Sequence, residues 1–113
     1  MDIKFEKCVP YRGGIPPLDD KSIAELIVNI PTWDVQHEQS TYLTKKFKTK
    51  NFKQSMNFAN LIFEISEAEG HHPKIIVEFG NIEVLWWTHK INGLHKNDFI
   101  MAAKTDDLFK QLN

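Results

Sequence analysis

Residues 67–98 read EAEGHHPKIIVEFGNIEVLWWTHKINGLHKND, and their pattern decides both the fold and the place where chemistry would sit. Ile75, Val77 and Phe79 alternate with Ile76 and Glu78, while Ile82, Val84 and Trp86 alternate with Glu83, Leu85 and Trp87. Successive side chains on an extended chain point to opposite faces, so this is the pattern of two half-buried strands. Gly80-Asn81 between them is a two-residue turn, since glycine accepts the positive φ such turns require. Counting outward from that turn pairs Phe79 with Ile82, Val77 with Val84 and Ile75 with Trp86. The same ladder, extended, sets His72 opposite His89 at a Cβ separation of roughly 4.5–5.5 Å.

Beyond the hairpin, Gly93-Leu94 breaks the chain. A third helix then runs to the C-terminus with Phe99, Ala102, Ala103 and Leu108 or Phe109 on its inner face. Before the hairpin lies a long helix, about Phe52 to Glu69, stopped by Gly70. It carries two apolar stripes: Phe52, Met56, Ala59 and Phe63 form one, and Phe58, Leu61, Ile62 and Ile65 the other. A helix lying on one sheet face needs a single stripe, so the second predicts contact with another helix or another subunit, or a more generously covered core. Thr32–His37 and Tyr42–Lys48 read as two strands around a loop at Glu38–Thr41, with Leu43 and Phe47 on one face and Thr44, Lys46 and Lys48 on the other. The lysine run from Lys45 to Lys53 is read as a solvated strand face. Upstream, Asp19 or Asp20 caps a first helix whose Ile23, Leu26, Ile27 and Ile30 fall on one side, ending before Pro31. Residues 1–18, with Pro10, Gly13, Gly14, Pro16 and Pro17, form an irregular lead-in in which Arg12 is a solvent-exposed tail residue.

The whole chain, 1–113, is expected to be one α+β domain. Its order is α-β-β-α-β-β-α, a four-stranded antiparallel sheet with three helices on one face. Fourteen Lys and Arg against fifteen Asp and Glu give a net charge of −1, which argues against direct nucleic-acid binding or an anionic membrane surface. The single cysteine, Cys8, makes no internal disulfide and suits a reducing compartment. The N-terminus carries no secretory pattern, and no apolar run approaches membrane-spanning length. A cytoplasmic protein is expected, with nuclear residence compatible.

The histidines admit three readings. A metal site is disfavoured: there is no H-E-x-x-H helix and no cysteine cluster, and adjacent residues such as His71 and His72 point apart on an extended chain. The second reading gives them solvent or backbone partners at a loop edge. The third is acid–base chemistry, because imidazole titrates near neutrality and two rings in unlike surroundings supply an acid and a base.

Glu67, three residues, His71-His72-Pro73, five residues, Phe79, nine residues, His89, eight residues and Asp98 resemble the signature of the pterin-4a-carbinolamine dehydratases. The local texts EAEGHHP, Thr88-His89, Gly93-Leu94, NDFIMAAK, RGGIPPL and Pro31-Thr32-Trp33 are similar too. The resemblance implies dehydration of 4a-hydroxytetrahydrobiopterin to quinonoid dihydrobiopterin in tetrahydrobiopterin recycling. It implies no metal and no bound cofactor, a homodimer or homotetramer, and for some members a second role as dimerisation cofactor of a transcription factor. Carried over by position, His71, His72 and His89 are catalytic, with His71 and His89 as the acid–base pair and His72 positioning the pterin. Glu67, Pro73, Thr88 and Asp98 bind or orient. Two departures stand out. His95 replaces the usual Ser or Thr helix cap, which weakens the capping box with Asp98 and makes a fourth site histidine conceivable. Lys74-Ile75 also stands where an aromatic often follows the histidine-proline step.

Overall fold

The computed structural model describes residues 2–10 and 15–112, so the reading of Arg12 and of Gly13-Gly14 lies outside the described residues. After a 3-10 turn at Ile3–Phe5 come α1 (Asp20–Ile27), β1 (Asp34–His37), β2 (Thr41–Lys48), α2 (Phe52–Glu69), β3 (Lys74–Val77) and β4 (Asn81–Trp86). A second 3-10 turn, His89–Ile91, leads into α3 (Lys96–Gln111). The strands form one antiparallel sheet in the order β1-β2-β4-β3. The α+β class and the α-β-β-α-β-β-α order are as expected.

Local chemistry sets the helix ends. The Asp19 carboxylate accepts the Ser22 N–H at 2.8 Å, and Asn51 Oδ1 accepts the Gln54 N–H at 2.8 Å, each satisfying a donor that the first turn leaves free. Gly70 ends α2 in the left-handed region at φ 68°, where a Cβ would be strained. α1 stops at Ile27, earlier than Pro31 requires, yet Ile30 is still fully buried.

The core lies between the sheet and the helices. Leu43, Phe47, Ile82, Val84 and Trp86 point inward from β2 and β4, against Phe58 and Ile62 of α2 and Phe99, Met101 and Ala102 of α3. Phe47 sits 4.9 Å from both Phe58 and Phe109 in edge or tilted geometry. One of the two α2 stripes is therefore core. The other is open: Phe52, Met56 and Phe63 are 51%, 40% and 60% exposed.

Two readings of the strands need correction. Lys45 is not on the solvated face. It points to the helix side, where Nζ donates to Asp106 Oδ1 at 2.8 Å and Thr32 Oγ1 at 2.7 Å. The hairpin register is also shifted by two: Val77 faces Ile82, Ile75 faces Val84 and Lys74 faces Leu85. The Glu78 N–H donates to the Asn81 carbonyl at 2.9 Å, so Phe79-Gly80 forms the turn, and Gly80 does not adopt a positive φ. The deciding contacts are tertiary. β2 pairs with β4 through Phe47 opposite Ile82, and the Thr49 N–H donates to the Gly80 carbonyl at 3.0 Å. An even shift leaves every side chain on its expected face. It does abolish the ladder contact between His72 and His89, because β3 begins at Lys74 and β4 ends at Trp86.

Candidate active site

The end of α2, the end of β4 and the start of α3 converge at one edge of the domain. Past Gly70, the N–H groups of Gly70 and His71 both donate to the Ser66 carbonyl, at 2.9 and 3.2 Å, turning the chain sharply toward β3. His71, His72 and Pro73 occupy this turn. On the other side, the Thr88 N–H donates to the Gly93 carbonyl at 2.9 Å and closes the 88–93 loop. Asn92, in the left-handed region at φ 49°, completes that reversal and leaves His89 at the rim.

Asp98 sits at the centre of the polar contacts and is fully buried. Its Oδ1 lies 2.5 Å from His71 Nε2, and its Oδ2 accepts from Thr88 Oγ1 and from the His95 N–H, both at 2.9 Å. A carboxylate withdrawn from water is costly unless every lone pair finds a donor, and three donors surround this one. With a carboxylate oxygen facing it, Nε2 is the ring's donor in this hydrogen bond, and Nδ1 is the ring nitrogen not engaged by Asp98. The His71 ring is further fixed by stacking on Trp86, centroids 5.7 Å apart and planes 8° from parallel.

His72 is built differently. Its Nε2 meets Glu67 Oε2 at 2.6 Å, but both side chains are about 60% exposed (61% and 59%). An exposed pair of this kind contributes about 0–1 kcal/mol, so it orients the ring only loosely. His89 has no carboxylate partner among its described contacts. Its ring stacks on Trp87 at 4.3 Å and 15°, and Trp87 leans in turn on Tyr42 at 6.1 Å. Trp86 and Trp87 point to opposite faces of β4, so each supports a different histidine.

His71, His72, Thr88 and His89 line one open depression of about 520 Å³, together with Pro10, Gly70 and Lys90. That volume is in the range of small-molecule sites, roughly 300–1,000 Å³. The three histidines thus share a cavity, although not through the ladder contact expected for His72 and His89. Asp98 lies beneath it, Glu67 reaches it through His72, and Pro73 is not part of its lining. Sequence reasoning overlooked Trp86, Trp87 and Pro10. The only trace of the first two was the alternation that sends adjacent tryptophans to opposite faces.

His95 turns out to be a helix cap. Its Nδ1 accepts the Asn97 N–H at 3.0 Å while its own N–H donates to Asp98. The capping box is therefore intact with an imidazole in the usual hydroxyl's place, and Asp98 serves the cap with one oxygen and His71 with the other. His95 does not line the depression. Among the described residues no group of three or more His, Cys, Asp or Glu is placed to hold a metal ion. No helix among them is long and apolar enough to cross a membrane.

A family model described as pterin 4 alpha carbinolamine dehydratase matches residues 16–108. Similar proteins carry the name "Putative pterin-4-alpha-carbinolamine dehydratase". One, from Chlorobium luteolum, is 45% identical over 98% of this chain and 98% of its own length. Another, from Microcystis aeruginosa, is 44% identical over 99% of this chain and 97% of its own length. The fold matches a solved structure of a transcriptional coactivator/pterin dehydratase from Brucella melitensis, with TM-score 0.75 and 24% identity over 81% of this chain and 97% of that one. It also matches a pterin dehydratase-like protein described as a RuBisCO assembly factor in the alpha-carboxysome, with TM-score 0.58 and 22% identity over 68% of this chain and 88% of that one. With the family model spanning most of its length and close relatives matching end to end, the chain belongs to the pterin 4 alpha carbinolamine dehydratase family.

Proposed function

We propose that the protein is a hydro-lyase that dehydrates 4a-hydroxytetrahydrobiopterin to quinonoid dihydrobiopterin in the cytoplasmic recycling of tetrahydrobiopterin. The observation that carries this reading is the shared depression, with His71 backed by buried Asp98 and His89 presented at the rim. In the reaction the C4a–O bond breaks, and the leaving hydroxide takes a proton from one imidazolium and departs as water. A second, neutral imidazole removes the N5 proton, and the N5 electron pair forms the C4a=N5 double bond. One proton is given and one taken, so the site ends with the same number of protons and the reaction needs no oxidant. His71 and His89 are the exchanging pair. His72, with Glu67 behind it, positions the pterin, and Asp98 with Thr88 fixes His71. The test is turnover: purified protein should accelerate loss of the carbinolamine over buffer, and no acceleration at micromolar protein overturns the reading.

A second role rests on the open stripe of α2. Phe52, Met56 and Phe63, spaced along one side and 40–60% exposed, supply a protein-binding face. Self-association into a homodimer or homotetramer is the reading it supports first. A transcription-factor partner is the second, and the Brucella protein of the same fold is described as a transcriptional coactivator/pterin dehydratase. Phe63→Asp should lower the oligomeric mass in light scattering; an unchanged mass counts against this face.

A further inference from the structure

We infer that the lead-in segment Val9–Pro10 is a wall of the substrate site, and that Asn97 and Glu69 are positioning residues that dock it there. The inference rests on the pterin reading above and extends it to a part of the chain outside the histidine signature.

A proline- and glycine-rich N-terminal stretch would ordinarily be loose. Here Cys8 and Val9 are tied down by residues next to the site groups in the chain. The Val9 N–H donates to Asn97 Oδ1 at 3.0 Å, and Asn97 Nδ2 donates back to the Val9 carbonyl at 2.7 Å. The amide thus reads the Val9 backbone as a neighbouring strand would, using both of its ends. Asn97 is only 4% exposed with the segment docked, so both of these hydrogen bonds are made largely out of water. One residue earlier, the Cys8 N–H donates to Glu69 Oε1 at 2.7 Å. Asn97 directly precedes Asp98, and Glu69 is followed by Gly70 and His71. The two anchors therefore stand on the same two helix ends that hold the His71–Asp98 pair.

The docked segment places Pro10 in the lining of the depression with His71, His72, Thr88 and His89. Proline suits that place chemically. It has no N–H to compete for the polar edge of a pterin, and its ring offers an apolar surface to a planar bicycle or its substituent. It carries no exchangeable proton. The wall should therefore govern binding of the bicycle and its substituent, not the proton transfers.

The cysteine gives an independent report on docking. Burial, followed by the nearby Glu69 carboxylate, pushes the Cys8 thiol up to about 12, which keeps it unreactive while the segment is docked.

The test compares the full-length parent with Pro10→Gly, Asn97→Leu and Asn97→Asp. KM and kcat are measured for the carbinolamine, and Cys8 labelling by a thiol reagent is followed with and without a non-reacting dihydropterin. Pro10→Gly should raise KM about 3- to 10-fold, and Asn97→Leu, which loses two hydrogen bonds, roughly 5- to 50-fold. In both, kcat should stay within about threefold. Asn97→Asp keeps the acceptor for Val9 but loses the donor, so its KM should fall between. Cys8 should label faster in Asn97→Leu, and dihydropterin should slow labelling in the parent. A parent that turns over normally while Pro10→Gly and Asn97→Leu keep the parental KM overturns the wall alone. A parent that neither turns over nor binds dihydropterin overturns the functional reading, and the wall with it.

Discussion

Asp98→Asn isolates the group on which the proton chemistry depends while keeping its shape. In the parent, Oδ2 must accept the His95 N–H, a backbone donor that cannot reverse. Asparagine must therefore turn its carbonyl oxygen to that side, where Thr88 can still donate. Its amide nitrogen then replaces Oδ1 beside His71 Nε2. Two things follow. The amide donates to Nε2, so the ring carries its proton on Nδ1, the wrong tautomer for taking a second one there. The negative charge that would steady an imidazolium at 2.5 Å is also gone. At an effective dielectric of about 20, unit charges about 4 Å apart attract by about 4 kcal/mol, equivalent to roughly 10³ in rate. We expect kcat to fall by about 10²–10⁴ with KM within about threefold, because the lost interaction belongs to the transition state. Stopped-flow loss of the carbinolamine measures both. The α3 cap should survive, so the helical circular dichroism should match the parent. A kcat within about threefold of the parent, with that signal intact, would refute the role of Asp98.

Trp87→Leu removes the surface on which His89 stacks, and should lower kcat by about 10-fold without unfolding the protein, as read by turnover and melting temperature together. Gly70→Ala forces a Cβ into the left-handed region at φ 68° although the space is open, and should cost about 1 kcal/mol, a drop of about 4 °C in melting temperature for a chain of this length. The hydrogen bond from the Ser22 N–H lowers the Asp19 carboxyl below its ordinary value. Its stabilising contribution is therefore complete above the ordinary carboxylate range and lost as pH falls through the lowered folded value. Asp19→Ala should accordingly melt lower than the parent at pH 7, and the two melting curves should converge toward pH 2.

How far the sequence carries the fold depends on which periodicity is at work. α2 was legible because a 3.6-residue apolar pattern and a glycine stop agree on a helix from about Phe52 to Glu69, and the Asn51 cap that fixes its start came only with the structure. The faces of β3 and β4 were legible for the same kind of reason. Their register was not, since a period of two is blind to a shift of two and Gly80 belongs to either candidate turn. The pairing of β4 with β2 settles it, and that contact joins strands separated by the whole of α2 and β3. Lys45 was misread because a lysine beside others on a strand resembles a solvated face, while its partner Asp106 lies 61 residues away on α3. At the site, residue identities came from spacing and resemblance, and their unequal surroundings came only with the structure. Nothing local distinguishes His71, seated on a buried carboxylate, from His72, paired with an exposed one. The stacking of His89 on Trp87 depends on how the 88–93 loop folds back, which no short-range pattern encodes.

The central claim is that His71 and His89 exchange the two protons of one dehydration. The most direct measurement is kcat for carbinolamine loss in His71→Ala and in His89→Ala, beside the parent and with folding checked by circular dichroism. Each variant should lose about 10²–10⁴ in kcat while remaining folded. Parental turnover in both folded variants would contradict the account.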